Sequence, residues 1–401
     1  MPTSQSNSGI CRSCNASVEF LLDFGNQPIV NNLQVEPGDV PKFPIEVGGC
    51  SYCGLVQILN PIDPAEFYTN YANASSVKRE PHLEKLIEKL ESLLPKNAKI
   101  IDVGCNDGKF LSRLRESGFN DLHGLEPTKN MSERAINAGF GVFNSYLDSA
   151  KSREIVAETG LFDCVTLRQV LEHIENLSDF GVALRSLLKP NGLLVIEVPD
   201  AQSHFDLPDF ALWEEHINDF SLGSLKHFLR QHGLEVIDSY KTQFSGVCLT
   251  VLSRLVDTRS VDVEPVSQIV DSFRKWAKCF DPFRSQVQAE LQYFASRDLP
   301  VALYGVGSRS SFFLNVTRSM GNISFAIDDD PAKQGKYLPG TEILIRSRED
   351  GFKLLKENSL VLLGVNGENE KKLLSEISPQ NKWVFKSILP PSENLLSAFN
   401  L

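Results

Sequence analysis

Cys11-Arg-Ser-Cys14 and Cys50-Ser-Tyr-Cys53 place two Cys-x-x-Cys knuckles near the start of the chain. Thiolates are strong zinc ligands, and four of them satisfy a tetrahedral ion with no position left open, so Cys11, Cys14, Cys50 and Cys53 predict a structural zinc site. An iron–sulfur centre is the alternative, but two widely separated pairs in a small module suit zinc better. Gly49 and Gly54 flank the second knuckle and are expected to let the backbone bend so that amides face the sulfurs.

A second chemistry-bearing segment reads Ile100-Ile101-Asp102-Val103-Gly104-Cys105-Asn106-Asp107-Gly108-Lys109-Phe110-Leu111. An apolar strand runs into glycines and then into a helix, so backbone can approach a ligand closely at Gly104 and Gly108. Glu126, in Gly-Leu-Glu-Pro at the end of the next strand, is placed to take both hydroxyls of a ribose. Asp107 would repel a phosphate, whereas an aminoacyl cofactor carrying an ammonium and a sulfonium tolerates it. That points to S-adenosylmethionine rather than a dinucleotide. The expected cofactor set is Asp102, Gly104, Asn106, Asp107, Gly108, Glu126, Pro127, Asn144 where a third strand should end, and Arg168 and Gln169 after the fourth.

The elements that must carry these residues follow from periodicity. His82–Leu94 has apolar residues at helical spacing, and Lys99–Val103, Leu122–Leu125, Phe162–Leu167 and Leu193–Val198 are short apolar runs with room for crossover helices between them. The pattern is α/β with a mainly parallel sheet. A long helix is predicted from Val266 to Ala295, with a possible break at Pro282. Val301–Val306, Ile323–Ile327, Leu360–Val365 and Trp383–Ile388 then read as the strands of a second α/β unit. The first 80 residues are rich in turns and too poor in apolar runs for a good core, a lack that a metal clamp would supply. The expected division is 1–80 for a zinc-binding domain, 81–255 for a Rossmann-like cofactor-binding core, and 256–401 for a second Rossmann-like α/β domain.

With 401 residues and a net charge of −11, the chain is large enough for two to three domains and too acidic for a nucleic-acid or anionic-membrane partner. No apolar stretch reaches the ~20 residues needed to span a bilayer, and the start lacks the features of a signal peptide, so a cytoplasmic monomer or homodimer is expected.

These motifs resemble the three-domain sugar C-methyltransferases that act on nucleotide-linked 4-keto-deoxysugars, such as the enzymes making the branched sugars of tylosin and novobiocin. The resemblance covers nearly the whole length. It includes both knuckles, Phe24-Gly25-Asn26-Gln27-Pro28, the Gly104–Gly108 turn, Gly124-Leu125-Glu126-Pro127, Val170-Leu171-Glu172-His173, and the long segment from Asp328 to Thr341. It implies structural zinc, S-adenosylmethionine, and a nucleotide-sugar held between the last two domains.

Methylating carbon requires an electron-rich partner for the sulfonium methyl. The C–H beside a ketone must lose its proton to a base near neutral pKa, and donors must surround the enolate oxygen. The segment from Leu212 to Ser221 is similar to the family's catalytic stretch, which implies His216 as the general base and Glu215 as its neighbouring acid. Three positions depart from the family's tyrosines: Trp213, Asp219, and Asn73 in the Asn70–Ser76 segment that resembles a substrate lid. Indole offers one donor and aspartate a negative charge. Tyr71, Asn73, Trp213, Asp219 and Arg309 are the expected substrate contacts, with Arg309 meeting a diphosphate through paired hydrogen bonds. The expected activity is C-methylation through an enolate. Methylation of oxygen or nitrogen on a related sugar, or a binding protein that has lost turnover, are the alternatives. Tyr304-Gly305-Val306-Gly307-Ser308 followed by Asp328 also admits a nicotinamide-binding reading.

Overall fold

The apolar runs of the central segment pair into the sheet that their spacing predicts. A computed structural model of the chain describes residues 9–63, 82–207, 209, 212–256, 266–377 and 382–400. Tyr71 and Asn73 lie outside the described residues.

Three sheets form. The N-terminal one is antiparallel, built from β1 (Glu19–Pro28), β2 (Lys42–Gly49) and β3 (Val56–Ile58), and is completed by β9 (Asn218–Asp219), which follows His216. The central sheet contains β4 (Lys99–Val103), β5 (Asp121–Leu125), β6 (Gly141–Phe143), β7 (Phe162–Arg168), β8 (Leu188–Pro199), β10 (Leu234–Gln243) and β11 (Val247–Leu255). Its order is β10-β11-β8-β7-β4-β5-β6, and only β11 runs against the others. Strand order reverses at β4, whose neighbours are β5 on one side and β7 on the other. The loop after β4 therefore opens a crevice at the carboxyl edge, where such sheets bind ligands. This is the Rossmann-like fold of the class I methyltransferases.

The last sheet is parallel, in the order β14-β13-β12-β15-β16, from β12 (Val301–Tyr304), β13 (Phe325–Ile327), β14 (Ile345–Arg346), β15 (Leu360–Leu363) and β16 (Val384–Ser387). The four runs expected there are present in trimmed form. The two-residue β14 was not legible, because so short a pairing has no periodicity to read.

Two expectations change. The helix Ser267–Ala295 continues through Pro282 instead of breaking. Asp281 and Pro282 face solvent while Phe280 and Phe283 on either side are buried, so packing holds the helix across the missing amide. The N-terminal segment also does not rely on the metal alone. Its Phe24, Val30, Ile45, Val47, Val56 and Ile58 share one core with Phe205, Leu212 and Trp213, with the long helix, and with the last sheet. Phe24 meets Trp276, Phe280 and Phe312 edge-on at centroid distances of 6.3, 5.0 and 5.6 Å. The Asp328–Thr341 segment joins this docking, since Tyr337 and Gln34 exchange backbone hydrogen bonds of 2.8 and 3.0 Å.

Candidate active site

The four knuckle sulfurs form one cluster, with Cys11 and Cys53 Sγ atoms 3.5 Å apart and Cys14 and Cys50 Sγ atoms also 3.5 Å apart. Zinc–sulfur bonds of ~2.3 Å in a tetrahedron set sulfurs ~3.8 Å apart, so the cage fits zinc with a few tenths of an ångström of adjustment. Each knuckle is closed by a residue in the left-handed conformation just after its second cysteine, Asn15 (φ 60°) and Gly54 (φ 78°). Gly49 is not a bend. It lies in β2, where an added Cβ would sit 2.7 Å from the Phe273 ring, so close packing rather than turning requires it. Arg12, inside the first knuckle, reaches forward into the catalytic segment: its guanidinium donates to the carbonyl of Ile217 at 3.2 Å, to Asn218 Oδ1 at 3.3 Å, and to the Ile58 carbonyl. The structural zinc site is thereby wired to the residues that follow His216.

The loop after β4 holds the residues expected to cradle the cofactor. Gly104 and Gly108 take φ of 76° and 80°, and a Cβ on Gly104 would stand 2.5 Å from Val170 Cγ2. Asn106 is also left-handed, at φ 51°. The Glu126 carboxylate, nearly buried, accepts from the Asn106 amide at 3.0 Å and the Thr128 amide at 2.8 Å. Each oxygen keeps a further lone pair, so the donor set still fits the two hydroxyls of a ribose. Asn144 Nδ2 bridges the carbonyls of Glu126 and Pro127 at 2.8 and 2.9 Å, fixing that rim. Asp107 Oδ1 accepts from the Lys109 amide at 3.3 Å. Asp102 sits inside the sheet, bonded to Thr166 Oγ1 at 2.6 Å, and burial pushes it up to about 6. Arg168 stacks its guanidinium over Phe110 at 4.9 Å and donates to Glu197 at 3.3 Å. Gln169 follows with φ 54°, a conformation an ordinary residue holds only when its surroundings enforce it.

We expect Gly104→Ala to combine that steric overlap with an unfavourable φ. It should cost about 1–3 kcal/mol of stability and weaken S-adenosylmethionine binding more than tenfold, to be read by thermal melting and titration calorimetry. Wild-type affinity in the variant would rule out this role for the turn.

The turn Val170–His173 joins the cradle to the catalytic segment. Val170 packs on Gly104, and His173 Nδ1 bonds the Glu215 carbonyl at 2.7 Å. His216 is half-buried, stacked on the Trp213 indole (3.6 Å, 25°) and set edgewise to His173 (4.7 Å, 89°). Glu215 is buried and accepts from Asn31 Nδ2 at 2.8 Å; burial raises its pKa and the Asn31 amide opposes that. Glu214, which sequence reasoning passed over, accepts from the Val30 amide at 2.6 Å and is pushed by burial up to about 8. Glu172, also buried, is likewise pushed by burial up to about 8, while His173 is pushed by burial down to about 4. Glu172 was visible only as part of the Val170–His173 motif and Glu214 only by adjacency to Glu215, and Asn31 gave no signal.

Three expected substrate contacts are placed away from any open surface. Trp213 is packed under His216. Asp219 is buried in β9, paired with Val56 of β3 and bonded to His204 Nδ1 at 3.1 Å. Burial alone would lower the His204 pKa, but the Asp219 charge and hydrogen bond raise it. Arg309 is a correction: it is buried, pairs with Asp209 at 2.5 Å and donates to the Ser245 carbonyl at 2.7 Å, so it joins domains instead of presenting a free fork to a diphosphate. Asp328 likewise closes on its own loop, accepting from the amides of Val306 at 2.8 Å and Asp330 at 2.9 Å. Unlike Glu126 it also meets a cation, Lys333 Nζ at 3.2 Å, which neutralises it within that loop.

Three domain families match successive parts of the chain: one described as zinc binding over residues 11–68, a methyltransferase domain over 77–239, and a C-methyltransferase C-terminal domain over 260–376. C-methyltransferase NovU of Streptomyces niveus is 27% identical over 363 residues, 84% of this chain and 86% of that protein. A ubiquinone biosynthesis O-methyltransferase of Rickettsia canadensis is 34% identical over 118 residues, covering 28% of this chain and 49% of its own length. A SAM-dependent methyltransferase structure from Anabaena variabilis aligns with a TM-score of 0.37 and 16% identity over 43% of this chain and 84% of that one. Among the described residues, no helix is long and apolar enough to cross a membrane. A zinc-binding domain, a methyltransferase domain and a C-methyltransferase C-terminal domain thus follow one another along the chain, which is an S-adenosylmethionine-dependent methyltransferase.

Proposed function

We propose that this enzyme methylates a carbon of a nucleotide-linked keto-deoxysugar through an enolate. The observation that carries the reading is the Val170–His173 turn, which packs on the cofactor glycine at one end and holds the Glu215 carbonyl at the other. That connection, with the His173 ring edgewise to His216, supports His216 as the base next to the bound cofactor. Bound S-adenosylmethionine would lie on Gly104, Asn106, Asp107, Gly108 and Glu126, and supplies an electrophilic methyl. The residues of this chain do the rest. His216, oriented by the Trp213 face, takes the proton from the carbon beside the ketone, and Glu215, fixed by Asn31, assists it.

Trp213 and Asp219 are absorbed into packing instead of replacing tyrosine hydroxyls at the substrate, which supports a second reading in which oxygen or nitrogen of a related sugar accepts the methyl. Incubation with methyl-labelled cofactor and a panel of nucleotide keto-sugars separates them. A new carbon-bound methyl in the product's NMR spectrum is the expected result. Label on oxygen or nitrogen selects the second reading, and cofactor binding without transfer to any sugar would mean a binding protein.

A further inference from the structure

Beside His216 lies a carboxylate that proton removal leaves unused. Glu172 lies in the 3-10 turn Leu171–His173 and is 1% exposed, and no other described residue gives its Oε1 or Oε2 a hydrogen bond. Leaving a buried acceptor unsatisfied costs about 1–3 kcal/mol, and more when the group is charged, so this arrangement calls for a missing partner. One oxygen of Glu172, a ring nitrogen of His173 and a ring nitrogen of His216 all lie within 4.8 Å of one another.

His173 is prepared as a ligand. A backbone carbonyl can only accept, so the 2.7 Å bond from His173 Nδ1 to the Glu215 carbonyl puts the ring proton on Nδ1 and leaves the Nε2 lone pair available. Metal-bound histidines are fixed by this kind of outer contact. Both imidazoles are half-buried over the fully buried Glu172 carboxyl, which gives an ion a way in and an oxygen ligand that binding would deprotonate. Two imidazoles and one carboxylate suit zinc, cobalt or nickel better than magnesium or calcium. Bonds of about 2.0–2.2 Å set such donors ~3–3.5 Å apart, so the three groups close on an ion by moving roughly an ångström.

We propose that Glu172, His173 and His216 form a second metal site, for a divalent transition-metal ion such as zinc, distinct from the cysteine cage. The ion takes the His216 lone pair that proton removal needs, so a loaded site blocks methyl transfer. That consequence rests on His216 being the base; binding of the ion does not.

The test titrates the purified full chain, its cysteine cage filled with zinc, with cobalt(II). The expected result is one further equivalent per chain with weak visible bands and no thiolate charge-transfer band. Glu172→Gln should weaken that equivalent by at least the ~10- to 100-fold that losing an outer contact costs. His216→Asn provides a second variant should Glu172→Gln fold poorly, with circular dichroism as the check. Absence of a second cobalt equivalent overturns the site, as does unchanged affinity in either folded variant. If cobalt binds and weakens as stated while His216→Asn still transfers methyl at full rate, the base assignment fails and the metal site stands.

Discussion

His216→Asn is expected to lower turnover on a nucleotide keto-sugar by ~10²- to 10⁴-fold, the range that a positioned general base contributes, with S-adenosylmethionine affinity unchanged. Asparagine keeps a polar group of similar reach but has no basic nitrogen at neutral pH. The cofactor cradle is built by β4, β5 and the Gly104–Gly108 turn, none of which contains His216, so binding should survive. Since only the proton-transfer step is altered, kcat and kcat/KM should fall together. Steady-state kinetics with labelled cofactor, beside a calorimetric titration, decide it. Full turnover in the variant would falsify the base assignment, and a loss of cofactor binding in parallel would mean the substitution had disturbed the cradle instead.

Removing the zinc should have an effect of comparable size by another route. Structural zinc commonly contributes an apparent ~10–16 kcal/mol to folding of its module, and here the module continues into the catalytic segment. The Ile58 amide bonds the Ile217 carbonyl at 2.9 Å, β3 pairs with β9, and Arg12 grips Ile217 and Asn218. Cys50→Ser is therefore expected to lower zinc content, lower the melting temperature, and abolish most turnover even though cysteine never touches substrate. Cofactor binding should be the property least affected. A zinc-free variant that melts and turns over like the parent would show that the knuckles are ornamental.

Local chemistry was legible in the sequence wherever one segment contains all of its determinants. Both knuckles, the Gly104–Gly108 turn with Glu126, and the parallel strands each announce themselves through spacing or periodicity. What stayed hidden depends on partners far away in the chain. Nothing about Arg12 marks it as a tie to Ile217, 205 residues on. The two-residue β9 has no pattern of its own and exists because β3 pairs with it. Arg309 read as a free cation because its partner Asp209 lies 100 residues earlier. Gly49 lost its expected part as a bend for a similar reason: the tight approach of Phe273 cannot be seen from residues 45–54.

The aromatic cluster around Phe24 has a consequence for how members of such a family can diverge. Recombination that exchanges only the last domain between two relatives would cut through Phe24, Trp276, Phe280 and Phe312 and leave mismatched surfaces on both sides. The opening and closing thirds of the chain should therefore diverge as a matched set, and the β3–β9 pairing and the Arg309–Asp209 ion pair tie the central third to both.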